Sequence, residues 1–273
     1  MGFGVGDLHA RAVMGIVNVT PDSFSDGGAF LSSATAIAHA LELASAGAAV
    51  VDIGGESTRP GARPVAEAEE RARVLPVVEA VVAKCPVLVS VDTAKAAVAD
   101  AALRSGAAIV NDVTAGRDPE MFGVVAAHDA GLVLMHMRGE PRTMQDDPRY
   151  GDVLAEVGDF LAERVAAAVA DGVRRDAILV DPGIGFGKRA AHNRVLLAHV
   201  RELAERAGAP VVIGASRKRS LADLVGDALE ARDDATLAIT VVAFAQGAAM
   251  VRVHDVAASV AAARVLREIE AAA

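Results

Sequence analysis

The chain is poor in cysteine, aromatic residues and positive charge, and each scarcity excludes something. Cys85 is alone in 273 residues, which rules out an intrachain disulfide framework and leaves a zinc or thiol-nucleophile site without partners nearby. A reducing cytosol fits this usage. Placed just before Pro86, Cys85 reads as a small residue closing a helix. Asp and Glu outnumber Lys and Arg by 36 to 27. The net charge of -9 argues against a general nucleic-acid or membrane-surface protein and leaves room only for a local basic pocket. Aromatics make up 3%, so Phe24 and Phe186 stand out for lying in glycine-rich stretches, where each can stack on a flat ligand or plug its own loop.

Other signals are also missing. The N-terminus has no charged region followed by an apolar one, and Gly6 stands where a myristoylation signal on Gly2 needs Ser or Thr. The longest apolar region, 235–251, is interrupted by Thr236, Thr240, Gln246 and Gly247, so it reads as a buried helix running into a strand. A soluble, cytoplasmic protein is expected. Neither a HExxH spacing nor a Gly-x-Ser-x-Gly elbow occurs, which removes support for a metalloprotease or a serine hydrolase. His128, His192 and His199 fall on helical stretches as surface groups, and His136 and His9 form no metal-ligand cluster.

What is present is a repeated unit. Short apolar runs occur at 12–19, 48–53, 87–91, 107–110, 132–135, 177–180, 211–213 and 250–253. Between and after them lie alanine-rich amphipathic stretches at 32–46, 65–83, 95–105, 119–130, 152–171, 189–207, 221–246 and 256–271, the seventh with a break expected near Asp233-Asp234. Gly47, Gly106, Gly131, Gly172 and Gly208 precede the next strand, as residues closing helices do. Near-continuously apolar strands covered by helices mean a parallel sheet, and eight repeats favour a (β/α)8 barrel over an open doubly wound sheet. With 53% hydrophobic residues and no linker or low-complexity segment, residues 1–273 read as a single barrel domain.

In such a barrel the C-terminal ends of the strands form the face that carries chemistry. Here those ends are Asn18, Asp92, Asn111, His136, Asp181, Ser216 and His254. One such residue is a strand cap or turn former, but seven converging on one mouth form a set. Asp92, Asn111 and Asp181 suit a planar heterocycle presenting N–H donors and a carbonyl. Arg59, Arg217, Lys218, Arg252 and His254 suit phosphate or pyrophosphate oxygens. Arg252 stands inside a strand with apolar neighbours, so it needs an anionic partner or a route to the mouth. Ser216, Arg217 and Lys218 sit at an expected helix start, where free N–H groups favour an anion; Arg219 reads as a solvated charge. The run 181–188 (DPGIGFGK) is neither a Walker loop, since Pro182 and Arg189 stand at two required positions, nor a dinucleotide fingerprint, whose third Gly falls on Lys188.

The motifs at 14–28 (MGIVNVTPDSFSDGG), 52–61 (DIGGESTRPG), 90–93 (SVDT), 111–113 (NDV), 135–139 (MHMRG), 181–188, 216–218 (SRK) and 252–256 (RVHDV), in this order, resemble the dihydropteroate synthase family of pterin-binding enzymes. The resemblance implies a (β/α)8 barrel in which p-aminobenzoate displaces pyrophosphate from 6-hydroxymethyl-7,8-dihydropterin diphosphate to give 7,8-dihydropteroate. It places pterin contacts on Asp92, Asn111, Asp181 and Lys218. Pyrophosphate contacts fall on Thr58, Arg59, Arg252 and His254, with Mg2+ held at Asn18. The aminobenzoate site falls on Phe24, Thr58, Pro60, Phe186, Ser216, Arg217 and Lys218. It also implies a homodimer, no covalent enzyme intermediate, and loops 20–28 and 57–62 that close over the substrates. Ser220 and Ala222 depart from the family, which usually has a large apolar residue and then a Gly after Ser-Arg-Lys. Two alternatives are a pterin-binding paralogue without turnover and a methyltetrahydrofolate-binding methyltransferase domain, which needs neither an aminobenzoate site nor a pyrophosphate pocket.

Overall fold

A computed structural model describes residues 3–4, 6, 8, 11–19, 29–58, 62–141, 143–218, 225–226 and 228–272. The strands are β1 (Ala12–Asn18), β2 (Val50–Gly54), β3 (Leu88–Asp92), β4 (Ile109–Asp112), β5 (Gly131–Met135), β6 (Ile178–Asp181), β7 (Val212–Ile213) and β8 (Met250–Val253). The helices are α1 (Ala29–Ser45), α2 (Glu67–Lys84), α3 (Ala96–Arg104), α4 (Met121–Ala127), α5 (Val153–Ala170), α6 (Ala190–Ala198), α7 (Val200–Ala207), α8 (Leu229–Ala245) and α9 (Val256–Ala271), and a 3-10 turn, Arg175–Ala177, leads into β6.

All strand pairs are parallel, in the order β6-β5-β4-β3-β2-β1-β8-β7. The ring is closed where β6 meets the short β7: Val180 bridges Val211, and its N–H donates to the Pro210 carbonyl at 2.9 Å. The expected barrel is therefore observed. Outward-facing residues such as Val51, Ile53, Val89, Val91, Val110 and Leu132 join Val74, Val78, Leu161 and Leu196 from the helices in one apolar shell. A separate cluster fills the lower interior with Met14, Val50, Ile109, Val133, Leu179, Val212 and Met250. Phe3 seals it from below, held by its N–H on the Asp129 carbonyl and by Arg174 on its own carbonyl.

Several boundaries differ from the sequence expectation. The helix expected over 189–207 is two, because His199 (φ -125, ψ 37) leaves helical geometry, and the new direction lets Arg206 of α7 reach Asp159 of α5 at 2.7 and 2.9 Å. The break expected near Asp233-Asp234 is absent: α8 runs through both residues, and Asp233 is held by Arg217. Gly131 closes no helix. Asp129 takes the positive φ after α4, while Gly131 opens β5 with the Phe3 ring in the place of a side chain. Cys85 is the expected helix end, its N–H on the Val81 carbonyl. Residues 235–251 do run from a helix into a strand, and among the described residues no helix is long and apolar enough to cross a membrane.

Candidate active site at the barrel mouth

Strand periodicity builds the site. Side chains two residues apart share a face, so the residues just above the apolar interior cluster also point inward. In β2 that step goes from Val50 to Asp52, in β4 from Ile109 to Asn111, in β6 from Leu179 to Asp181 and in β8 from Met250 to Arg252. The parallel register sets Asp92 beside Asn111 and beside Gly54. A polar layer thus rests directly on an apolar one.

Asp52 is the hub of that layer. Its Oδ2 accepts from Arg252 Nε at 2.6 Å and from Asn111 Nδ2 at 3.0 Å, while Arg252 Nη2 donates to Asp92 Oδ2 at 2.7 Å. Oδ1 of Asp52 is buried with no hydrogen-bond partner among the described residues. One guanidinium therefore serves two buried carboxylates. Burial raises Asp92 to about 7 against the pull of Arg252, with Asp52 adding repulsion. Burial opposes the charge on Arg252 too, but Asp52 and Asp92 together hold its pKa above the ordinary value.

Across the mouth, Asp181 accepts from the Gly183 N–H at 2.7 Å, and burial raises it against the opposing charge of Lys218. Lys218 donates to the Ile184 carbonyl and lies 4.3 Å from the centre of the Phe186 ring. Burial lowers this ammonium to about 8, with Asp181 resisting. The Ser216 hydroxyl meets His254 twice, at ring Nδ1 (2.9 Å) and at the backbone N–H (3.1 Å). Thr58 lines a cleft of about 180 Å³ together with Glu56, Asp92, Thr93, Arg117 and Met137.

The turn 181–188 is tied by its own lysine. Lys188 is buried and donates to His136 Nδ1 at 2.8 Å and to the carbonyls of Gly183 (3.1 Å) and Phe186 (3.0 Å). Burial takes it well below an ordinary lysine. It also takes His136 down to about 3, with Lys188 adding to the effect, so the imidazole stays neutral. Gly183 has φ 67, and a Cβ there would lie 2.0 Å from the His136 carbonyl oxygen, so no other residue fits.

Of the residues singled out in the sequence, Asp92, Asn111, Asp181, Lys218, Arg252, Ser216, His254, Phe186 and Thr58 gather at this mouth. Asn18 ends β1 there, half-buried and in register with Gly54. Arg217 is engaged elsewhere: its Nε and Nη2 reach Asp233 of α8 at 2.6 and 2.8 Å. Ser216 and Arg217 form a turn, and residues 219–224, with the expected start of the 221–246 helix and with Ser220 and Ala222, lie outside the described residues. Phe24, Arg59, Pro60, Arg219, His9 and the loop 20–28 lie outside them as well. Asp52 and Lys188 received no role from the sequence. Asp52 in its run VVDIG is, like Arg252, a charge inside an apolar strand.

A sequence profile described as pterin binding enzyme matches residues 14–254, from the third residue of β1 to the residue after β8. The chain belongs to the pterin binding enzyme family. A relative named dihydropteroate synthase, from Escherichia coli (strain K12), is 44% identical over 260 residues, covering 95% of this chain and 92% of the relative. A solved Xanthomonas albilineans dihydropteroate synthase with 4-aminobenzoic acid has a TM-score of 0.90 at 49% identity, covering 96% of this chain and 94% of that one. Another from that organism, in complex with 7,8-dihydropteroate, gives 0.84 at 43% over the same shares. The matched span of the pterin binding enzyme family contains every mouth residue named above.

The donor set can be asked whether it suits Mg2+. Asn18 offers one hard amide oxygen at the mouth, and among the described residues no cluster of three or more His, Cys, Asp or Glu could hold a metal. Mg2+ commonly takes one or two protein oxygens and completes its octahedron with phosphate oxygens and water, so a single Asn oxygen fits the protein's share of such a site.

Proposed function

We propose that this protein catalyses dihydropteroate synthesis: the amine of p-aminobenzoate attacks the methylene carbon of 6-hydroxymethyl-7,8-dihydropterin diphosphate. A C–N bond forms, the C–O bond to pyrophosphate breaks with its electron pair, and the amine loses one proton. The observation that carries this reading is the polar layer at the mouth, in which Asp92, Asn111 and Asp181 of β3, β4 and β6 stand with Arg252 of β8 and Lys218 of the loop after β7.

Each end has a distinct task. Asp92 and Asp181 accept ring N–H groups, and as buried anions they favour a pterin that becomes positively polarised as the leaving group departs. Asn111 and Lys218 complete the ring contacts. Arg252 and His254 face the pyrophosphate, where negative charge grows in the transition state. Thr58 and Arg59 join them. Asn18 would hold Mg2+, which supplies further positive charge against the pyrophosphate. Phe186 and Lys218 offer a ring face and a cation to p-aminobenzoate, next to Ser216; Phe24, Pro60 and Arg217 belong to the same proposed site. Bringing a weak aniline nucleophile into line is most of the remaining work, so no covalent enzyme intermediate is involved.

A homodimer and a cytoplasmic setting belong to the same proposal. Exposed Val241 and Val242 of α8 and Val265 and Ile269 of α9 support an interface between copies. The test is pyrophosphate release from the pterin diphosphate with Mg2+, with and without p-aminobenzoate. Release should depend on p-aminobenzoate and fall by on the order of 10²–10³ in Asp92→Ala and Lys218→Ala. Tight binding of the pterin diphosphate without any release would favour a non-catalytic pterin binder.

A further inference from the structure

The loop after β2 begins on a buried ionic bridge that none of the roles above uses. Lys95, the residue before α3, donates through Nζ to both Glu56 of that loop and Glu70 in the first turn of α2. The other oxygen of Glu56 accepts from the Val65 N–H at 3.3 Å, so one carboxylate ties residue 56 to residue 65 across the intervening segment. Glu70 is fully buried, and its Oε1 has no hydrogen-bond partner among the described residues. Side-chain exposure is 27% for both Lys95 and Glu56, so the bridge is largely withdrawn from water.

The backbone is built to bring these groups together. Gly55 lies so close to α2 that a Cβ would fall 2.8 Å from Val74 and 3.1 Å from the Glu70 side chain, and its carbonyl accepts from Arg73 at 2.8 Å. Residues 54–56 therefore rest on α2 by a contact only glycine permits. Two positions on is Thr58, and Glu56, Thr58, Glu70 and Asp92 all line the cleft at the mouth. Burial works against the charge on Lys95, yet its bonds to Glu56 and Glu70 hold its pKa above the ordinary lysine value.

We propose that Lys95 is a positioning residue: by bridging Glu56 to Glu70 it fixes the backbone of 56–58 against α2 and so sets where Thr58 meets the second substrate. The inference rests on the proposed reaction, with p-aminobenzoate seated beside Thr58. Asp92, Asn111 and Asp181 are held by strand register instead, so pterin binding is spared. Without the ammonium, two carboxylates share one cleft edge with no common cation, and Glu56 moves away from α2.

Lys95→Met, Lys95→Arg and the double variant Lys95→Met/Glu70→Met separate position from charge. Lys95→Met should raise the KM for p-aminobenzoate about tenfold, with kcat and the Kd of the dihydropterin lacking its diphosphate changed less than about twofold. Lys95→Arg, which keeps both bonds, should recover to within about threefold of the parent. The double variant restores the charge balance but not the bridge, so it should remain as impaired as Lys95→Met. Recovery in the double variant would reduce Lys95 to a counter-charge and overturn the proposal, as would an unchanged KM in Lys95→Met. Amide exchange at 56–58 reads the bridge without turnover: protection present in the parent must be lost in Lys95→Met and kept in Lys95→Arg. A parent protein that releases no pyrophosphate defeats the proposed reaction, whereas unaltered exchange in Lys95→Met defeats the positioning role.

Discussion

Two layers of the same barrel interior differ by two residues per strand. Val50, Ile109, Leu179 and Met250 form the lower layer, sealed by Phe3; Asp52, Asn111, Asp181 and Arg252 stand directly above them on β2, β4, β6 and β8. Each position in the lower layer removes apolar area from water, roughly 1.5–3 kcal/mol for a side chain of this size. Its chemistry ends there. The upper layer buries charge, and Arg252 alone neutralises only one of the two carboxylates it touches. The lower layer therefore stabilises the fold, and the upper layer consumes part of that stability to keep Asp52, Asp92 and Asp181 together at the mouth.

The comparison predicts opposite signatures for substitutions two residues apart. Arg252→Met removes the one cation shared by Asp52 and Asp92, so stability should fall by about 4 kcal/mol at pH 8, as when one member of a buried pair is deleted. Denaturant unfolding repeated at pH 5 should show a smaller loss, because Asp92 then carries a proton and needs no partner. An equal loss at both pH values would assign the cost to packing and erase the distinction between layers. Leu179→Ala, in the layer below Asp181, should cost about 3 kcal/mol from lost transfer and cavity terms. Its pterin Kd should nevertheless stay within about twofold in calorimetry. A large affinity loss would mean that the lower layer positions the upper one.

Much of this was legible in the chain. Apolar runs that stop at a polar residue revealed the strands and the mouth, because a buried parallel strand has no other reason to end on Asn, Asp or His at the same place. Asp52 was missed because attention to strand ends ignores the inward residue just before the end, although period-2 alternation places it in the same layer as Asn111 and Arg252. The engagement of Arg217 with Asp233 was illegible for another reason. Sixteen positions separate them, and nothing local marks two exposed-looking charges as partners across the segment between β7 and α8. The division at His199 escaped because no Gly or Pro marks it, and the bend is set by what α7 packs against. Lys188 carried no signal once the Walker pattern failed; its partners, the His136 ring just after β5 and the carbonyls of Gly183 and Phe186, are set by how the turn folds back on itself.

The smallest expected effect bears most directly on the upper layer, because affinity and stability should there respond to pH with opposite signs. Burial raises Asp92 from 3.8 to about 7. A carboxyl raised in the folded state stabilises fully below its unfolded value, and that contribution disappears as pH rises through the folded one. The unliganded protein should therefore lose stability between pH 4 and 7, as far as Asp92 governs it. Pterin binding runs the other way: the ionised carboxylate is the acceptor for the ring N–H, so below pH 7 a proton must leave, and Kd should rise about tenfold per unit of acidification. Above about 8 Lys218 begins to lose its charge, and affinity should level or fall. Titration calorimetry with the dihydropterin from pH 5 to 9 should thus place the optimum between 7 and 8. Asp92→Asn should bind more weakly but without the acid limb. If the limb persists in that variant, Asp181 rather than Asp92 carries the proton that pterin binding must displace.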